Sequence, residues 1–335
     1  MAERDLLVVK DLKKWFPVRR SLGQWMAGTE RPAVRAVDGV SFEIRKQEIF
    51  GLVGESGCGK TTTGKLVMKL LEPSSGTLEF DGMDVTRVTA EELARYRRNV
   101  QMIFQDPYAS MNPRFKIREV LDEPLSIHKV GADGRERADR IARALSEVKL
   151  TPVEEYLDRF PHMLSGGQRQ RVATARTLIL SPHLLVADEP VSMIDLSTRA
   201  EILHMMKDVQ RDLGLSYLYI THDLSTARYF TDRLAVMYLG RIVEIGRPDD
   251  VIGAPRHPYT RALIAAVCEP VPGKVSTCRE IPIKGEIPSA ADIPPGCRFH
   301  PRCVFAGPEC AQEPGPELTE VGADHGAACK RLSEI

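Results

Sequence analysis

The 335-residue chain is 43% hydrophobic and 27% charged, and its 46 Lys and Arg balance 46 Asp and Glu to a formal net charge of zero. This is enough apolar material for a sizeable core and about two domains; it excludes disorder throughout and gives no bulk electrostatic pull toward nucleic acid or anionic lipid. No apolar run approaches the ~18 residues that span a bilayer, and the charged opening Met1-Ala-Glu-Arg-Asp lacks a secretory stretch, so the expected setting is the cytoplasm, where seven cysteines suggest metal ligands or buried thiols rather than disulfides.

Val40 to Arg45 alternates apolar and polar residues, as a half-buried strand does. A second strand, Glu48 to Val53, runs into the glycine-rich Gly54-Glu-Ser-Gly-Cys-Gly-Lys-Thr61. Thr61 to Leu71 has helical spacing and is stopped by Pro73. Leu78 to Phe80 reads as a short strand closed by the turn pair Asp81-Gly82. From Glu119 to Ile179 the pattern is helical, with one break at residues 131–134. Leu184 to Ala187 and Tyr217 to Ile220 are continuous apolar runs, suited to strands buried on both faces of a mainly parallel sheet. Leu234 to Leu239 and Ile242 to Ile245 flank Gly240-Arg241 and read as a hairpin. Beyond residue 250 the composition changes: ten of the 23 prolines and five of the seven cysteines lie between Pro270 and Ile335, with Phe299 and Phe305 as the only aromatics. The first 250 residues therefore read as an α/β core with a helical insertion, followed by an extension of different character.

Gly54-x-x-x-x-Gly59-Lys60-Thr61 has the spacing of a phosphate-binding loop, and it sits between a predicted strand and a predicted helix, as that loop requires. Glycines let the backbone wrap closely, so that the N–H groups of Gly54, Glu55, Ser56, Gly57, Cys58, Gly59, Lys60, Thr61 and Thr62 are candidates to cradle phosphate oxygens. The following helix adds its positive N-terminal end. Lys60 would reach the β- and γ-phosphates, and the Thr61 hydroxyl would bind magnesium. Leu184-Leu-Val-Ala-Asp188-Glu189 is an apolar strand ending in two carboxylates. Asp188 could hold magnesium, usually through water, and Glu189 could activate an attacking water.

Leu164-Ser-Gly-Gly-Gln-Arg-Gln-Arg171 lies between these two sites. It resembles the signature motif of ATP-binding cassette (ABC) ATPases, and the order of all three motifs is that family's order. The resemblance covers essentially the whole chain. It implies an ABC-type P-loop NTPase of the α/β class with an inserted helical subdomain (about 107–180) in a nucleotide-binding domain over 1–250, and a small Pro/Cys-rich C-terminal extension over 251–335. It further implies that Gln105 senses magnesium and water, that Asp195 communicates across a dimer, and that His222 contacts the γ-phosphate. Phe16 would stack on adenine, with Trp15 the competing choice. Ser165, Gly166, Gly167 and Gln168 would bind the γ-phosphate of ATP held by a second subunit, although the same Ser-Gly-Gly run also suits an ordinary helix cap. Asp106-Pro-Tyr-Ala-Ser-Met-Asn-Pro-Arg114, Arg256-His-Pro-Tyr-Thr-Arg-Ala-Leu263 and Pro295-Gly-Cys-Arg-Phe-His-Pro-Arg-Cys303 resemble the ATP-binding subunits of dipeptide and oligopeptide importers. That resemblance implies ATP hydrolysis with magnesium, a second ABC ATPase subunit, two membrane permeases, an extracytoplasmic solute-binding protein, no nucleic-acid partner, and a peripheral place on the cytoplasmic face of the membrane. A soluble ABC ATPase acting on DNA or ribosomes usually carries two cassettes or a long coiled-coil insertion, and neither is readable here. A non-catalytic cassette would lack Lys60, Glu189 or His222, and all three are present.

Cys297, Cys303, Cys310 and Cys329 are spaced C-x5-C-x6-C-x18-C. An extension this poor in aromatics must pack on the main domain or on a partner, or be held by a staple. Structural zinc usually includes a C-x2–4-C pair, which is missing, and a [4Fe–4S] cluster accommodates wider spacing. The cluster is the leading expectation, with zinc, a disulfide or no metal as alternatives. Cys58, inside the phosphate loop, is read as no metal ligand, and Cys268 and Cys278 as ordinary.

Overall fold

A computed structural model describes residues 5–18, 33–266 and 283–335; Cys268, Cys278 and most of the stretch between Pro17 and Arg35 lie outside these. The strands used below are β1 (Asp5–Pro17), β2 (Ala33–Arg45), β3 (Ile49–Val53), β4 (Ser75–Phe80), β5 (Val100–Ile103), β6 (Leu184–Asp188), β7 (Ser216–Thr221), β8 (Arg233–Tyr238), β9 (Arg241–Gly246), β10 (Thr319–Gly322) and β11 (His325–Ala327). The helices are α1 (Lys60–Val67), α2 (Ala90–Asn99), α3 (Ile117–Ile127), α4 (Gly134–Glu147), α5 (Gly166–Leu178), α6 (Leu196–Leu213), α7 (Leu224–Phe230), α8 (Pro248–Gly253) and α9 (Pro258–Ala266). They form two compact units interleaved along the chain, one from residues 1–6, 44–49 and 81–220, the other from 7–43, 50–80 and 221–335.

In the first unit β5, β6 and β7 run parallel, with Val100 opposite Leu184 and Leu184 opposite Ser216. Every residue of β6 and β7 is buried, which explains why both read as unbroken apolar runs. The helical stretch resolves into α3, α4 and α5, with Leu121, Leu125, Ile141, Leu145 and Val172 turned into their common core. The expected break is a turn that Asp133 ends by capping α4 through the Glu136 N–H, 2.8 Å away. Arg176 of α5 donates to the Ser110 carbonyl (2.5 Å) and to Glu123 (2.6 Å), fastening the 106–114 segment to the helices.

In the second unit the sheet order is β10-β11-β9-β8-β3. β3 and β8 are parallel, and the other pairs are antiparallel. The hairpin expected between residues 234 and 245 is present. Its turn is Leu239-Gly240, one residue earlier than read, because both residues take positive φ (41° and 82°), as a two-residue turn between right-twisted strands requires. α1 ends at Val67, four residues before the expected end, because Lys69 enters the left-handed region at φ 52° and its N–H turns back to the Leu66 carbonyl. β1 pairs antiparallel with β4, Val9 facing Leu78.

The extension packs on this unit. β11 adds to β9, with Glu244 opposite Ala327. Phe299 is buried against Tyr238 and Tyr259, at ring-centroid distances of 5.3 and 5.5 Å. Cys297 and Cys310 join the same apolar cluster as Val236, Leu239 and Val251.

Candidate functional site

The phosphate loop lies in the second unit. β3 is wholly buried and delivers Gly54 at its end. Gly54 and Gly59 take φ of 152° and 110°, and a Cβ at either would overlap a backbone oxygen, of Met237 and Ala36 respectively. Only glycine allows this approach. Lys60, 5% exposed, folds its ammonium back onto the loop, donating to the carbonyls of Gly54 (2.7 Å) and Glu55 (2.9 Å). Ser56, Gly57 and Thr61 are exposed along the loop, and α1 starts without a side-chain cap. The β8–β9 turn braces the loop: Gly240 N–H donates to the Cys58 carbonyl at 2.9 Å, and Asp38 N–H to the Gly240 carbonyl at 2.8 Å. Burial raises the pKa of the Cys58 thiol, against the nearby Lys60 charge.

His222 is exposed just before α7, which Asp223 caps. Trp15 and Phe16 stand next to each other near the end of β1. The Trp15 indole N–H donates to Asp38 at 2.9 Å, and the Arg35 guanidinium lies 4.7 Å from its ring centroid. The Phe16 ring has the Lys14 ammonium 5.3 Å from its centroid.

The first unit holds the acidic strand end and the signature. Asp188, 5% exposed, closes β6. Glu189 follows with φ 47°, a strained conformation for a residue with a side chain. Its N–H is held by the Ile220 carbonyl at 2.8 Å, and its carboxylate accepts from the Gln105 side-chain amide at 3.0 Å. Gln105 and Glu189, 84 residues apart, are thus brought together. Ser165 and Gln168 form a reciprocal cap at the start of α5, with distances of 3.2 and 3.0 Å, so the signature is indeed a helix cap as well. Arg169, 6% exposed, bonds the Pro161 and Leu164 carbonyls and stacks 3.6 Å from the Tyr108 ring centroid, tying the 106–114 segment to the signature. Asp195 caps α6, accepting from Ser197 (2.7 Å) and from the Thr198 N–H (3.0 Å), and these bonds hold its pKa down to about 2.

Cys297, Cys303, Cys310 and Cys329 line one small cavity under Phe299. Burial pushes the Cys297 thiol up to about 11. All four are free thiols, and among the described residues no group of three or more His, Cys, Asp or Glu is arranged to hold a metal ion. The expected [4Fe–4S] site therefore receives no support from a formed metal group.

Four polar residues meet around the phosphate loop, and although Arg298, Arg302 and Tyr259 lie in motifs that carry the importer resemblance, nothing in the sequence placed them there. Asp38 and Arg298 form a buried ion pair, and Arg302 and Tyr259 both reach Glu55. His257-Pro-Tyr259 stood out as a motif, but nothing in its spacing pointed to the loop.

A family model described as "ABC transporter" matches residues 37–192, and one described as "Oligopeptide/dipeptide transporter, C-terminal region" matches residues 243–310. The chain is 43% identical over 334 residues to the oligopeptide transport ATP-binding protein AppF of Bacillus subtilis, covering 99% of this chain and 98% of that one. It is 44% identical over 317 residues to the dipeptide transport ATP-binding protein DppF of Haemophilus influenzae, covering 94% and 93%. Among solved structures it resembles the ATP-binding cassette MJ0796, a dimer in a post-hydrolysis state with ADP and Pi (TM-score 0.62, 27% identity, 72% of this chain and 98% of that one). It also resembles CbiO1 of Clostridium perfringens, part of the transporter complex CbiONQ (TM-score 0.64, 25% identity, 75% and 92%).

Proposed function

The chain belongs to the ABC transporter family and is an ABC-type ATPase using ATP and magnesium, and from that premise we propose that it is the subunit that energises import of di- and oligopeptides or related small solutes. It does so by closing on a second nucleotide-binding subunit when ATP is bound and opening after hydrolysis. The observation that carries the ATP-driven part of this reading is the phosphate loop, where the buried Lys60 is poised on the loop carbonyls at the start of an uncapped helix; the peptide part is supported by the likeness of residues 243–310 to the oligopeptide/dipeptide transporter C-terminal region. The nucleotide-binding domain is 1–250, with its helical subdomain at about 107–180, and residues 251–335 are the extension. No helix among the described residues is long and apolar enough to cross a membrane, which agrees with a peripheral subunit on the cytoplasmic face, bound to two permeases that receive solute from an extracytoplasmic binding protein. The segment from Asp106 through the helical insertion faces the permease, a reading supported by the exposed rings of Tyr108 and Phe115 within it.

The phosphate loop, Gly54 to Thr62, binds the phosphates, with Glu55 shaping the loop because its own N–H is spent on Tyr259; Lys60 neutralises β- and γ-phosphate oxygens, and Phe16, or Trp15 in its place, stacks on the adenine. Thr61, Gln105 and Asp188 supply the hard oxygen donors that suit magnesium, which when bound offsets phosphate charge. Glu189 accepts the proton of the attacking water. Gln105 holds the Glu189 carboxylate in place until nucleotide arrives, and His222 contacts the γ-phosphate. Ser165, Gly166, Gly167 and Gln168 serve the ATP of the partner subunit, and Asp195 relays between the two sites. Glu189→Gln is the deciding variant: turnover falls by at least a hundredfold while ATP-dependent pairing with the second subunit persists in size-exclusion chromatography. Turnover close to wild type would remove Glu189 as general base.

The cysteine cavity is proposed to take a [4Fe–4S] cluster. The support is that the four thiols, spread over 33 residues of sequence, line a single cavity, and that thiolates are the ligands such a cluster requires.

A further inference from the structure

Glu55, the second residue of the phosphate loop, has all three of its polar groups engaged. Its carbonyl accepts from Lys60 Nζ at 2.9 Å. Its N–H donates to the Tyr259 hydroxyl at 2.9 Å. Its carboxylate receives Arg302 in a two-pronged pair, at 2.8 and 3.1 Å. Tyr259 lies in the first turn of α9 and Arg302 ends the short turn before Cys303, so two of the three anchors come from beyond residue 250. Neither anchor is a loose surface contact. Tyr259 is fully buried and Arg302 is 6% exposed. The Arg302 guanidinium packs over the rings of Tyr238 and Phe299, 5.8 and 5.9 Å from their centroids. The Lys284 N–H holds the Arg302 carbonyl at 2.8 Å. A planar fork held this way presents both its N–H groups to one carboxylate with little entropy left to lose.

We propose that Arg302 and Tyr259 are positioning residues for nucleotide binding: they fix Glu55 and the peptides on either side of it, so that the Gly54 and Glu55 carbonyls face Lys60 and the loop is preformed for phosphate. The inference rests on the reading of Gly54–Thr62 as the ATP phosphate site. A phosphate loop works by aiming successive N–H groups at one centre, and rotation of a single peptide removes a donor and moves the lysine with it. The Tyr259 hydroxyl fixes the Gly54–Glu55 peptide, whose carbonyl also accepts from Lys60, and Arg302 fixes the Glu55 side chain, so the Glu55–Ser56 peptide that follows cannot rotate freely. The extension thereby acts on ATP affinity without touching the nucleotide. A second extension residue, Arg298, pairs with the buried Asp38, which also accepts from Trp15, so the end of β1 that carries Trp15 and Phe16 is tied to the extension as well.

The test uses the full chain in complex with its partner subunits. Arg302→Met and Glu55→Gln are each expected to raise the KM for MgATP about tenfold with kcat within a factor of two, and the double variant to be no worse than either single one. Arg302→Lys, which keeps the charge but not the fork, should recover only part of the loss. Tyr259→Phe should raise KM about threefold. Equal losses in kcat and KM, or additive effects of Arg302→Met and Glu55→Gln, would show a merely structural role and overturn the proposal. Lys60→Ala is the control for the underlying reading: if it still binds ATP, the phosphate site itself is misassigned, whereas if it loses ATP and the KM of Arg302→Met is unchanged, only the positioning role falls.

Discussion

Asp38 shows how a single side chain is set by its surroundings. It is 3% exposed, and burial alone would raise its pKa; the hydrogen bond and charge of Arg298 outweigh this, and the carboxyl is held below its ordinary value of 3.8. A carboxyl with a lowered pKa stabilises the fold above its unfolded value and loses that contribution as pH falls through the folded value. Asp38→Asn leaves Arg298 buried without its counter-charge, which costs about 3 kcal/mol at neutral pH. The gap in melting temperature between wild type and Asp38→Asn should therefore be constant near neutrality and close below pH 3.8, as calorimetry across pH would show. A gap independent of pH would mean that the ion pair contributes nothing. Glu189 is the other residue whose environment is telling: its backbone is strained at positive φ while its carboxylate accepts from Gln105.

The start of α5 is where one element depends on another. The Ser165–Gln168 cap was legible in the sequence as serine followed three residues later by glutamine. The need for Gly167 was legible only as a motif letter. Its physical reason is the first turn of α6: a Cβ at Gly167 would stand 2.5 Å from the Thr198 methyl. Gly167→Ala should lower stability by about 1–3 kcal/mol through overpacking, and adding Thr198→Ser, which deletes that methyl, should restore most of it. Denaturant melts of the single and double variants measure this, and a double variant no better than the single would reject the contact. Elements whose cores are locally continuous, such as β6 and β7, were readable from residue type alone. The strand β5 was not, because Val100-Gln-Met-Ile is four residues long and is stabilised by its partner β6 rather than by any pattern of its own. Glu244, fully buried in β9, likewise makes sense only through His325 of β11, 2.8 Å away, and the Arg256 and His257 N–H groups.

Across the whole chain, the extension joins the phosphate-loop unit through a core of Tyr238, Tyr259 and Phe299 and through two arginines, each next to a cavity cysteine. If a cluster fills that cavity, protein purified without oxygen will be brown, absorb broadly in the visible, and contain about four irons per chain; colourless, iron-free protein would remove the cluster. The sequence by itself determined the phosphate loop, the acidic strand end, the signature cap and the change of character beyond residue 250, because each is a short-range pattern whose chemistry depends on neighbours within a few residues. Only the tertiary structure decided that Arg302 meets Glu55 across 247 residues and Arg298 meets Asp38 across 260. A charge pair has no periodicity to read, and either partner alone is indistinguishable from a solvated surface residue until the fold buries both.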